Sequence, residues 1–431
     1  MESLNVSAWL TASASFGAKY SVLVADHMAG FTLWPTKVHP VSIASTSFEG
    51  GNGDIVKDFR VAAAAQGIAP GFFYSTHYNW ALGVDNYRAE AVPRTYGGPL
   101  LNQSAFEDLA LAQLAELHLY ESDGHGPWSE VWFDGSVNTI LTPKVGSFVK
   151  QNFPNAVCHS CVNFSQTGSG SSGDGRGIRW MGNEEGAMPL PSWGASFVNY
   201  SVLGDPTAPY FIPPSCDTVL EEHYWFWQQG DTKKLRSTCA LTNVYLTSVG
   251  RSSNFILNLA PDQSGGLQPE EVIAYQDLGD AIRCLWNTPI AQWTQPLSVD
   301  LQSGIILLPL TTPFTCTGSG TCTASLVLQE DLSLGQRIGE WTVEVNVEGK
   351  WVPALNATMP KAATTGIGHK RIFSVLLPNN VTINEMRVRV ISAYTAAGDE
   401  AAPMWLIAAG LFDRGGATTQ CLPNACTLVD Y

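Results

Sequence analysis

Segments of strand character alternate with segments of helical character between residues 6 and 286. This alternation is typical of β–α–β units, in which a helix joins two parallel strands and covers one face of their sheet. The sequence predicts seven strands, at Tyr20 to Ala25, Gly71 to Ser75, Glu130 to Phe133, Ala156 to Val162, Ile178 to Met181, Thr218 to Glu221 and Phe255 to Leu259.

Helical segments lie between most of these strands. They are predicted at Val6 to Phe16, from a cap at Asp54 through Gln66, from a capping box at Ser104 and Glu107 to about Tyr120, at Ala240 to Val249, and at Pro269 to Trp286. Polar or acidic residues recur at the strand ends, which favours a (β/α)8 barrel over an open sheet. Because the chain begins on a helix and only seven strands are visible, we expect a (β/α)8-type barrel that lacks its first strand.

The pattern changes after Trp286. Short alternating runs follow, separated by turns rich in Gly, Asn and Pro, and this indicates an antiparallel β-sandwich. The runs are Ile305 to Leu310, Ser325 to Gln329, Trp341 to Val347, Arg371 to Leu376 and Glu385 to Ile391. We therefore expect two domains, a catalytic barrel at residues 1–290 and a C-terminal β-sandwich at residues 295–431.

Acidic residues follow two of the predicted strands. Asp134 ends the strand that begins at Glu130, and Glu184 and Glu185 come just after the strand that ends at Met181. In a parallel barrel, a polar residue at the C-terminal end of a strand points into the active-site mouth. Two carboxylates across such a mouth are the minimum set for glycoside hydrolysis. Helix capping or an ion pair with Arg179 is an equally common role for such acids, so the residues alone leave both interpretations open.

Composition narrows the classes of partner. The net charge of -15 and the pI of about 4.9 argue against nucleic acid and anionic membranes. No apolar run is long enough to span a bilayer, so we expect no membrane insertion. Fourteen tryptophans and thirteen tyrosines supply aromatic faces, which stack on sugars or fill ordinary cores.

The cysteines and glycosylation sequons favour a secretory route. We expect disulfides within the pairs Cys316 with Cys322 and Cys421 with Cys426, because each pair brackets a short turn-like stretch. The lone Cys158-x-x-Cys161 motif has no second pair, which argues against zinc. Together with sequons at Asn5, Asn102, Asn163, Asn199, Asn356 and Asn380, this predicts a secreted, lysosomal, vacuolar or cell-wall protein. No signal peptide is visible in residues 1–10, so we expect the N-terminus to be incomplete.

Motifs spread along the chain resemble those of the α-L-fucosidases of glycoside hydrolase family 29. The similarity is closest to the branch that acts on α-1,3/1,4-linked fucose. The motifs are Phe16 to Tyr20, Asp26-His27, Gly30-Phe31-Thr32-Leu33-Trp34-Pro35, Gly53 to Lys57, Gly71 to Ser75, Glu130 to Gly135, Ile178 to Glu184, Val249 to Arg251, Asn254 to Asn258, Leu328 to Glu330, Gly335 to Arg337 and Gly366 to Ile372.

The resemblance implies a retaining glycosidase. Asp134 occupies the family's nucleophile position, and Glu184 occupies the acid/base position, with the adjacent Glu185 as its rival. The resemblance also implies substrate contacts by His27, Trp34, Trp132 and Tyr74. It implies fucosylated oligosaccharides or glycoproteins as partners, and neither a cofactor nor a metal.

Two departures from the family pattern keep other functions open. The family usually has two adjacent histidines and then Asp, where this chain has His27-Met28-Ala29. This chain also has no counterpart of the family's first strand. The chain is therefore either an incomplete record of an active enzyme or a catalytically impaired fucosidase-like protein that binds glycans. A metal-dependent barrel hydrolase that uses His27, His77 and Asp134 is the third hypothesis, although no H-x-H or H-E-x-x-H spacing supports it.

Overall fold

The computed structural model describes residues 4–89, 101–134, 142–159, 177–181, 183–196, 202–208, 210–222, 224–229, 235–294, 296–300, 303–317, 322–333, 335–394, 404–413, 420–423 and 426–429. The helices in these residues are α1 (Val6–Ser15), α2 (Ile55–Gln66), α3 (Gln103–Leu119), α4 (Thr142–Asn152), α5 (Thr238–Thr247) and α6 (Pro269–Trp286). The first strands are β1 (Tyr20–Asp26), β2 (Ala69–Ser75), β3 (Glu130–Asp134), β4 (Val157–His159), β5 (Gly177–Trp180), β6 (Ala195–Ser196), β7 (Tyr210–Phe211), β8 (Pro214–Thr218) and β9 (Asn254–Leu257). The remaining strands are β10 (Ala291–Trp293), β11 (Leu297–Ser298), β12 (Ile305–Thr315), β13 (Cys322–Glu330), β14 (Trp341–Val347), β15 (Lys350–Pro353), β16 (Arg371–Leu377), β17 (Thr382–Val390) and β18 (Trp405–Asp413).

Seven strands of the described residues form one sheet in the order β1-β2-β3-β4-β5-β8-β9. The pairs β1–β2, β2–β3, β3–β4, β4–β5 and β8–β9 are parallel, and the register sets Ser75 at the end of β2 beside Asp134 at the end of β3. The predicted parallel strand–helix region and the antiparallel sheets after it are therefore confirmed. Closure into a (β/α)8 barrel remains a prediction.

The sixth predicted strand is wrong in position. The sequence suggested Thr218 to Glu221, whereas β8 ends at Thr218. All five residues of β8, Pro-Ser-Cys-Asp-Thr, are buried. Parallel strands that are covered on both faces usually show a continuous apolar run, and this polar sequence hides the strand from a pattern search.

Helix capping confirms one predicted helix start and corrects another. The side chain of Asp54 accepts the N–H of Lys57 at 3.0 Å, and α2 follows as predicted. The capping box at Ser104 and Glu107 is wrong, because α3 begins earlier. Asn102 caps it by accepting the N–H of Ala105 at 2.9 Å. Asn is among the best N-cap residues, since its side-chain oxygen satisfies an N–H that the helix leaves open.

The chain divides into two compact units. The first comprises Met1–Arg179, Trp225–Asp231 and Leu259–Tyr275, and the second comprises Trp180–Tyr224, Thr232–Asn258 and Gln276–Tyr431. In the first unit, alternate strand residues face opposite sides of the sheet. Val131 and Phe133 of β3 are buried in the apolar cluster that also contains residues of α2, α3 and α4. The opposite face of β3 therefore carries Glu130, Trp132 and Asp134.

A buried arginine ties α2 to the segment after α3. The side chain of Arg60 is fully buried, its Nε lies 2.7 Å from Asp123 Oδ2, and its guanidinium carbon lies 4.4 Å from the ring centre of Trp128. A buried cation is costly unless it is paired, and the carboxylate and the indole provide that pairing.

In the second unit, two antiparallel sheets enclose an apolar core. Their orders are β10-β18-β13-β16 and β12-β17-β14-β15. Alternate residues of the strands, such as Leu326 and Leu328 of β13 with Val343 and Val345 of β14, fill the space between them and are fully buried. This is the inward and outward alternation expected of a sandwich.

The disulfides confirm one predicted pair and correct the other. Cys316 is bonded to Cys322. The predicted pair of Cys421 with Cys426 is wrong, because Cys421 is bonded to Cys284 of α6 and Cys426 to Cys239 of α5. The C-terminal residues lie along these helices, where Asn243 donates to the carbonyl of Thr427 and accepts the N–H of Val429, both at 2.9 Å.

The helices bear on the membrane question. Within the described ranges, none of them has both the length and the apolar character that crossing a bilayer requires.

Candidate active site

The carboxylate of Asp134 stands at the C-terminal end of β3, where the side chain is partly exposed. His27, just after β1, is close enough to feel its charge. Burial lowers the pKa of His27, and the negative charge of Asp134 offsets part of that effect. At neutral pH the imidazole is therefore mainly in its neutral form, which can donate one hydrogen bond and accept another.

Aromatic rings surround this pair. The His27 ring stacks on Phe73, with ring centres 5.2 Å apart and planes inclined by 18°, and it meets Phe226 edge-on at 5.2 Å. Phe73 also lies 6.0 Å from Trp132, the residue two before Asp134 on the same strand face. Apolar rings beside a carboxylate and an imidazole suit a sugar, which presents apolar C–H faces and hydroxyl edges.

A second group of rings borders Asp134 from the segment after β2. Tyr87 is 9% exposed, and burial together with the charge of Asp134 raises its pKa to about 12. Its ring stacks on His77 at 4.4 Å, and His77 in turn lies 3.9 Å from the ring of Tyr78. The phenol of Tyr87 therefore keeps its proton at any physiological pH.

A second acid lies at the start of β3 on the same face as Asp134. Glu130 is 1% exposed, and burial raises its pKa to about 8. A hydrogen bond from Tyr20 counteracts this only in part. Glu130 thus holds a proton at neutral pH, whereas the mouth of the site lies at the other end of the strand.

The turn after His27 is fixed by a close approach of two chain segments. The N–H of Gly30 donates to the carbonyl of His27 at 2.8 Å, and Gly30 has a φ of 71°. A Cβ at this position would overlap the side-chain oxygen of Asn79. Glycine is thus required here both by its backbone conformation and by the packing of Asn79.

Two of the residues expected to contact substrate lie in the core. Trp34 is 2% exposed, and its indole N–H donates to Glu116 at 2.8 Å. Tyr74 is 1% exposed, and its hydroxyl donates to Gln113 at 2.6 Å. Their neighbours are protein groups on the helix-covered side of the sheet, so any influence on a sugar passes through other residues.

Four residues of the ring cluster were not among the expected contacts: Phe73, Tyr87, His159 and Phe226. Strand alternation could have found Phe73, because it lies two residues before Ser75, which pairs with Asp134. Phe226 lies far along the chain in an irregular segment, and no local pattern marks it.

In the second unit, the backbone around Glu184 is held by β8. The Thr218 hydroxyl donates to the carbonyl of Glu184 at 2.8 Å, and the N–H of Gly186 donates to the carbonyl of Asp217 at 3.0 Å. Asn183 accepts the N–H of Glu185 at 3.2 Å. The side chains of Glu184 and Glu185 are both exposed, so the backbone contacts alone do not rank one acid above the other.

The hypothesis of a metal-dependent hydrolase finds no ligand set. Across the described part of the chain, no three His, Cys, Asp or Glu side chains are grouped so that they could hold a metal ion. His27, His77 and Asp134 are all described, and they do not form such a group.

A parallel sheet with a carboxylate among aromatic rings at its strand ends suits a glycoside hydrolase, and the relatives of this chain belong to that class. The family model for alpha-L-fucosidase matches residues 1–284. The chain thus belongs to the alpha-L-fucosidase family.

Individual relatives agree with this assignment. A candidate alpha-L-fucosidase 1 of Oryza sativa subsp. japonica is 26% identical over 408 residues, which cover 86% of this chain and 71% of the relative. The crystal structure of a candidate alpha-L-fucosidase from Bacteroides thetaiotaomicron is 27% identical, with a TM-score of 0.76 over 96% of this chain and 88% of that one. A Ruminococcus gnavus GH29 fucosidase in complex with fucose is 16% identical, with a TM-score of 0.70 over 96% of this chain and 86% of that one, and it shares the fold.

Proposed function

We propose that this chain releases α-L-fucose from fucosylated glycans by double displacement, with Asp134 as the nucleophile and Glu184 as the acid/base. The observation that carries the proposal is the place of Asp134, at the end of β3 beside His27 and Trp132, in a chain of the alpha-L-fucosidase family. His27 and Trp132 are the proposed sugar contacts.

The reaction proceeds in two balanced steps. A carboxylate oxygen of Asp134 attacks C1 of the fucoside, the bond from C1 to the leaving oxygen breaks, and Glu184 gives its proton to that oxygen. Glu184 then takes a proton from water, the water oxygen attacks C1, and the carboxylate of Asp134 leaves. Two inversions at C1 retain the configuration.

The cluster around Asp134 suits this chemistry. A His27 imidazole without a full charge can donate to a sugar hydroxyl without forming a strong ion pair with Asp134, which must stay free to attack. The rings of Phe73 and Trp132 offer apolar faces to the pyranose and its methyl group.

Fucosylated oligosaccharides or glycoproteins are the proposed substrates. The Ruminococcus gnavus structure of the same fold contains fucose, which supports this sugar as the ligand. We propose α-1,3 and α-1,4 linkages because the sequence motifs are closest to the branch that acts on them.

We also propose that the protein follows a secretory route and consists of two domains. The disulfides Cys239–Cys426, Cys284–Cys421 and Cys316–Cys322 support folding in an oxidising compartment, as a secretory route provides. We place the catalytic domain at residues 1–290 and the sandwich domain at residues 295–431.

The test is hydrolysis of an aryl α-L-fucoside by the purified chain, with product configuration followed by NMR. Asp134→Ala should abolish turnover. Glu184→Ala should lower kcat by about 10²–10⁴-fold and recover with azide, whereas Glu185→Ala should stay near the wild-type rate. A wild-type rate no higher than that of Asp134→Ala contradicts the proposal, and azide rescue of Glu185→Ala alone reverses the assignment of the two acids.

A glycan-binding protein without efficient turnover is the second candidate. It is favoured by Met28 and Ala29, which follow His27 where the family usually has a second histidine and an aspartate. Calorimetric binding of a fucosylated trisaccharide, without any release of fucose from it or from the aryl fucoside, would support this candidate.

A further inference from the structure

Three sequence motifs of the sandwich meet at one buried carboxylate. Glu330, the last residue of β13, is 2% exposed. It accepts the backbone N–H groups of Arg337 at 2.6 Å, Ile338 at 2.7 Å and Gly368 at 2.9 Å. The carboxylate therefore fixes the backbone at residues 337–338 and at Gly368. Gln336 directly precedes Arg337, so its backbone is fixed as well.

The side chain of Gln336 reaches the segment that follows Glu184. Gln336 is 5% exposed. Its Oε1 accepts the N–H of Gly194 at 2.8 Å, and its Nε2 donates to the carbonyl of Ser192 at 3.0 Å. One amide thus satisfies both a donor and an acceptor of the same short segment, which is the arrangement that best fixes a backbone.

The space around this amide leaves it little freedom. Gly368 has a φ of 68°, and a Cβ there would lie 3.1 Å from Nε2 of Gln336. The neighbouring motif also holds the turn after α5, where Arg371 donates to the carbonyl of Gly250 at 3.2 Å and the N–H of His369 donates to Ser252 at 2.8 Å.

The segment from Asn183 to Gly194 is consequently held at both ends. Thr218 of β8 holds the carbonyl of Glu184. Midway, the N–H of Met188 donates to Thr247, and the carbonyl of Met188 accepts from Arg251 at 2.7 Å. Gln336 closes the far end. Of these contacts, the one from Gln336 is the one that comes from the sandwich.

We propose that Gln336 is a positioning residue for the acid/base. By holding Ser192 and Gly194, it keeps the exposed Glu184 aimed at the leaving oxygen, so the sandwich takes part in leaving-group protonation. This inference rests on the proposed function of Glu184. The sandwich motifs at residues 328–330, 335–337 and 366–372 would then have one common role, which is to position the segment that follows Glu184.

The test compares two substrates that differ in their need for an acid. An α-1,4-fucosylated disaccharide has a poor leaving group that must be protonated, whereas 2-chloro-4-nitrophenyl α-L-fucoside releases a stable phenolate that needs no proton. The parameter compared is kcat/KM, because it reports the first step, in which the bond to the leaving group breaks, and excludes the second step, in which Glu184 acts as base on both substrates. Gln336→Ala should lower kcat/KM on the disaccharide by about tenfold or more, because general acid catalysis contributes about 10²–10⁴-fold, and it should change kcat/KM on the aryl fucoside by much less. Glu184→Ala should show the same selectivity in stronger form.

Val375→Ala is the matched control, since Val375 is buried in the sandwich core and belongs to none of these contacts. It should lower the Tm and leave unchanged the ratio of kcat/KM on the disaccharide to kcat/KM on the aryl fucoside. Gln336→Met, which keeps the length of the side chain and loses both hydrogen bonds, should show the same selectivity as Gln336→Ala. It also provides the measurement if Gln336→Ala does not fold.

Each outcome has a separate meaning. Equal losses on both substrates, or a wild-type ratio in Gln336→Ala, would overturn the positioning role. A wild-type chain that cleaves neither substrate, or a Glu184→Ala variant without selectivity, would instead overturn the proposed function.

Discussion

The imidazole of His159 lies flat against the indole of Trp132, with ring centres 3.8 Å apart and planes inclined by 24°. His159 ends β4 and is 1% exposed, and Trp132 is partly exposed two residues before Asp134. The buried imidazole therefore covers one face of the indole and leaves the other face for the proposed contact with the sugar.

Removal of this backing should weaken sugar binding. Aromatic pairs contribute about 0.5–1.5 kcal/mol beyond their burial, so His159→Ala should raise the Kd for L-fucose by about two- to tenfold. His159→Phe keeps a flat ring and should bind nearly as well as the wild type. Isothermal titration calorimetry measures both, and an equal loss in the two variants would contradict the backing role.

His159 should also affect stability in acid. Burial lowers its pKa to about 3, below the value of an unfolded histidine, so the folded chain binds fewer protons between these two values. Its neutral form should cost no stability above pH 6.5. Stability should be lost by up to about 1.4 kcal/mol per pH unit as the pH falls below that value. His159→Phe should flatten this acid limb of the Tm profile, and an unchanged limb would contradict the assignment.

Glu130 should act in the opposite direction. Burial raises its pKa to about 8, above the value in the unfolded chain, so the folded chain binds more protons over this range. Stability should therefore fall as the pH rises from 5 to 8, by up to about 1.4 kcal/mol per pH unit. In Glu130→Gln the fall should be smaller, whereas Glu348→Gln on the surface should follow the wild type. Denaturant unfolding at pH 5, 6.5 and 8 makes the comparison, and parallel curves for Glu130→Gln and the wild type would rule this out.

Gly30 should not tolerate a side chain. An alanine there adds the strain of a positive φ, about 1–2 kcal/mol, and also displaces Asn79 from the turn that carries His27. Gly67→Ala is the control, because its φ of 65° is similar and a Cβ there would meet nothing within 4 Å. Gly30→Ala should lose about 1–3 kcal/mol more stability than this control, and activity as well. Similar Tm values and rates for the two variants would mean that contact with Asn79 is unimportant.

The disulfides should contribute unequally to stability. Cys284–Cys421 joins residues 137 positions apart, and Cys316–Cys322 joins residues 6 positions apart. A longer loop loses more entropy in the unfolded chain when it is closed. Replacing both cysteines of the long pair by serine should therefore cost roughly 3–5 kcal/mol, and the short pair roughly 2 kcal/mol or less. Thermal unfolding of the two double variants is the measurement, and a larger loss for the short pair would contradict the loop argument.

Local patterns in the sequence sufficed for much of the fold. The bounds of α6 and the cap of α2 follow from spacing and capping chemistry, which act over a few residues. β8 escaped because its buried residues are polar and lack the pattern of a strand. The partners of Cys421 and Cys426 escaped because pairing depends on which helices the C-terminal segment meets, and spacing carries no such information.

Local patterns likewise placed some residues of the candidate site and misplaced others. Asp134 was predicted because it follows a strand, and the structure places it at the end of β3 in register with Ser75. Trp34 and Tyr74 were expected at the sugar because aromatic residues look alike in a sequence, whether they face a cavity or a core. Ring position depends on which face of the strand a residue occupies. Phe73 of β2 contacts His27, whereas Tyr74, the next residue, packs in the core beneath the helices.

The long disulfides also bear on synthesis. Cys239 waits 187 residues for Cys426, which at about 5–20 residues per second is roughly 10–40 s of translation. During that time the thiol of Cys239 is unmatched, and Cys284 emerges while Cys239 is still waiting. Rapid oxidation at that stage would join these two helix cysteines to each other, so refolding with a slower oxidant or with an isomerase should raise the yield of correctly bonded protein.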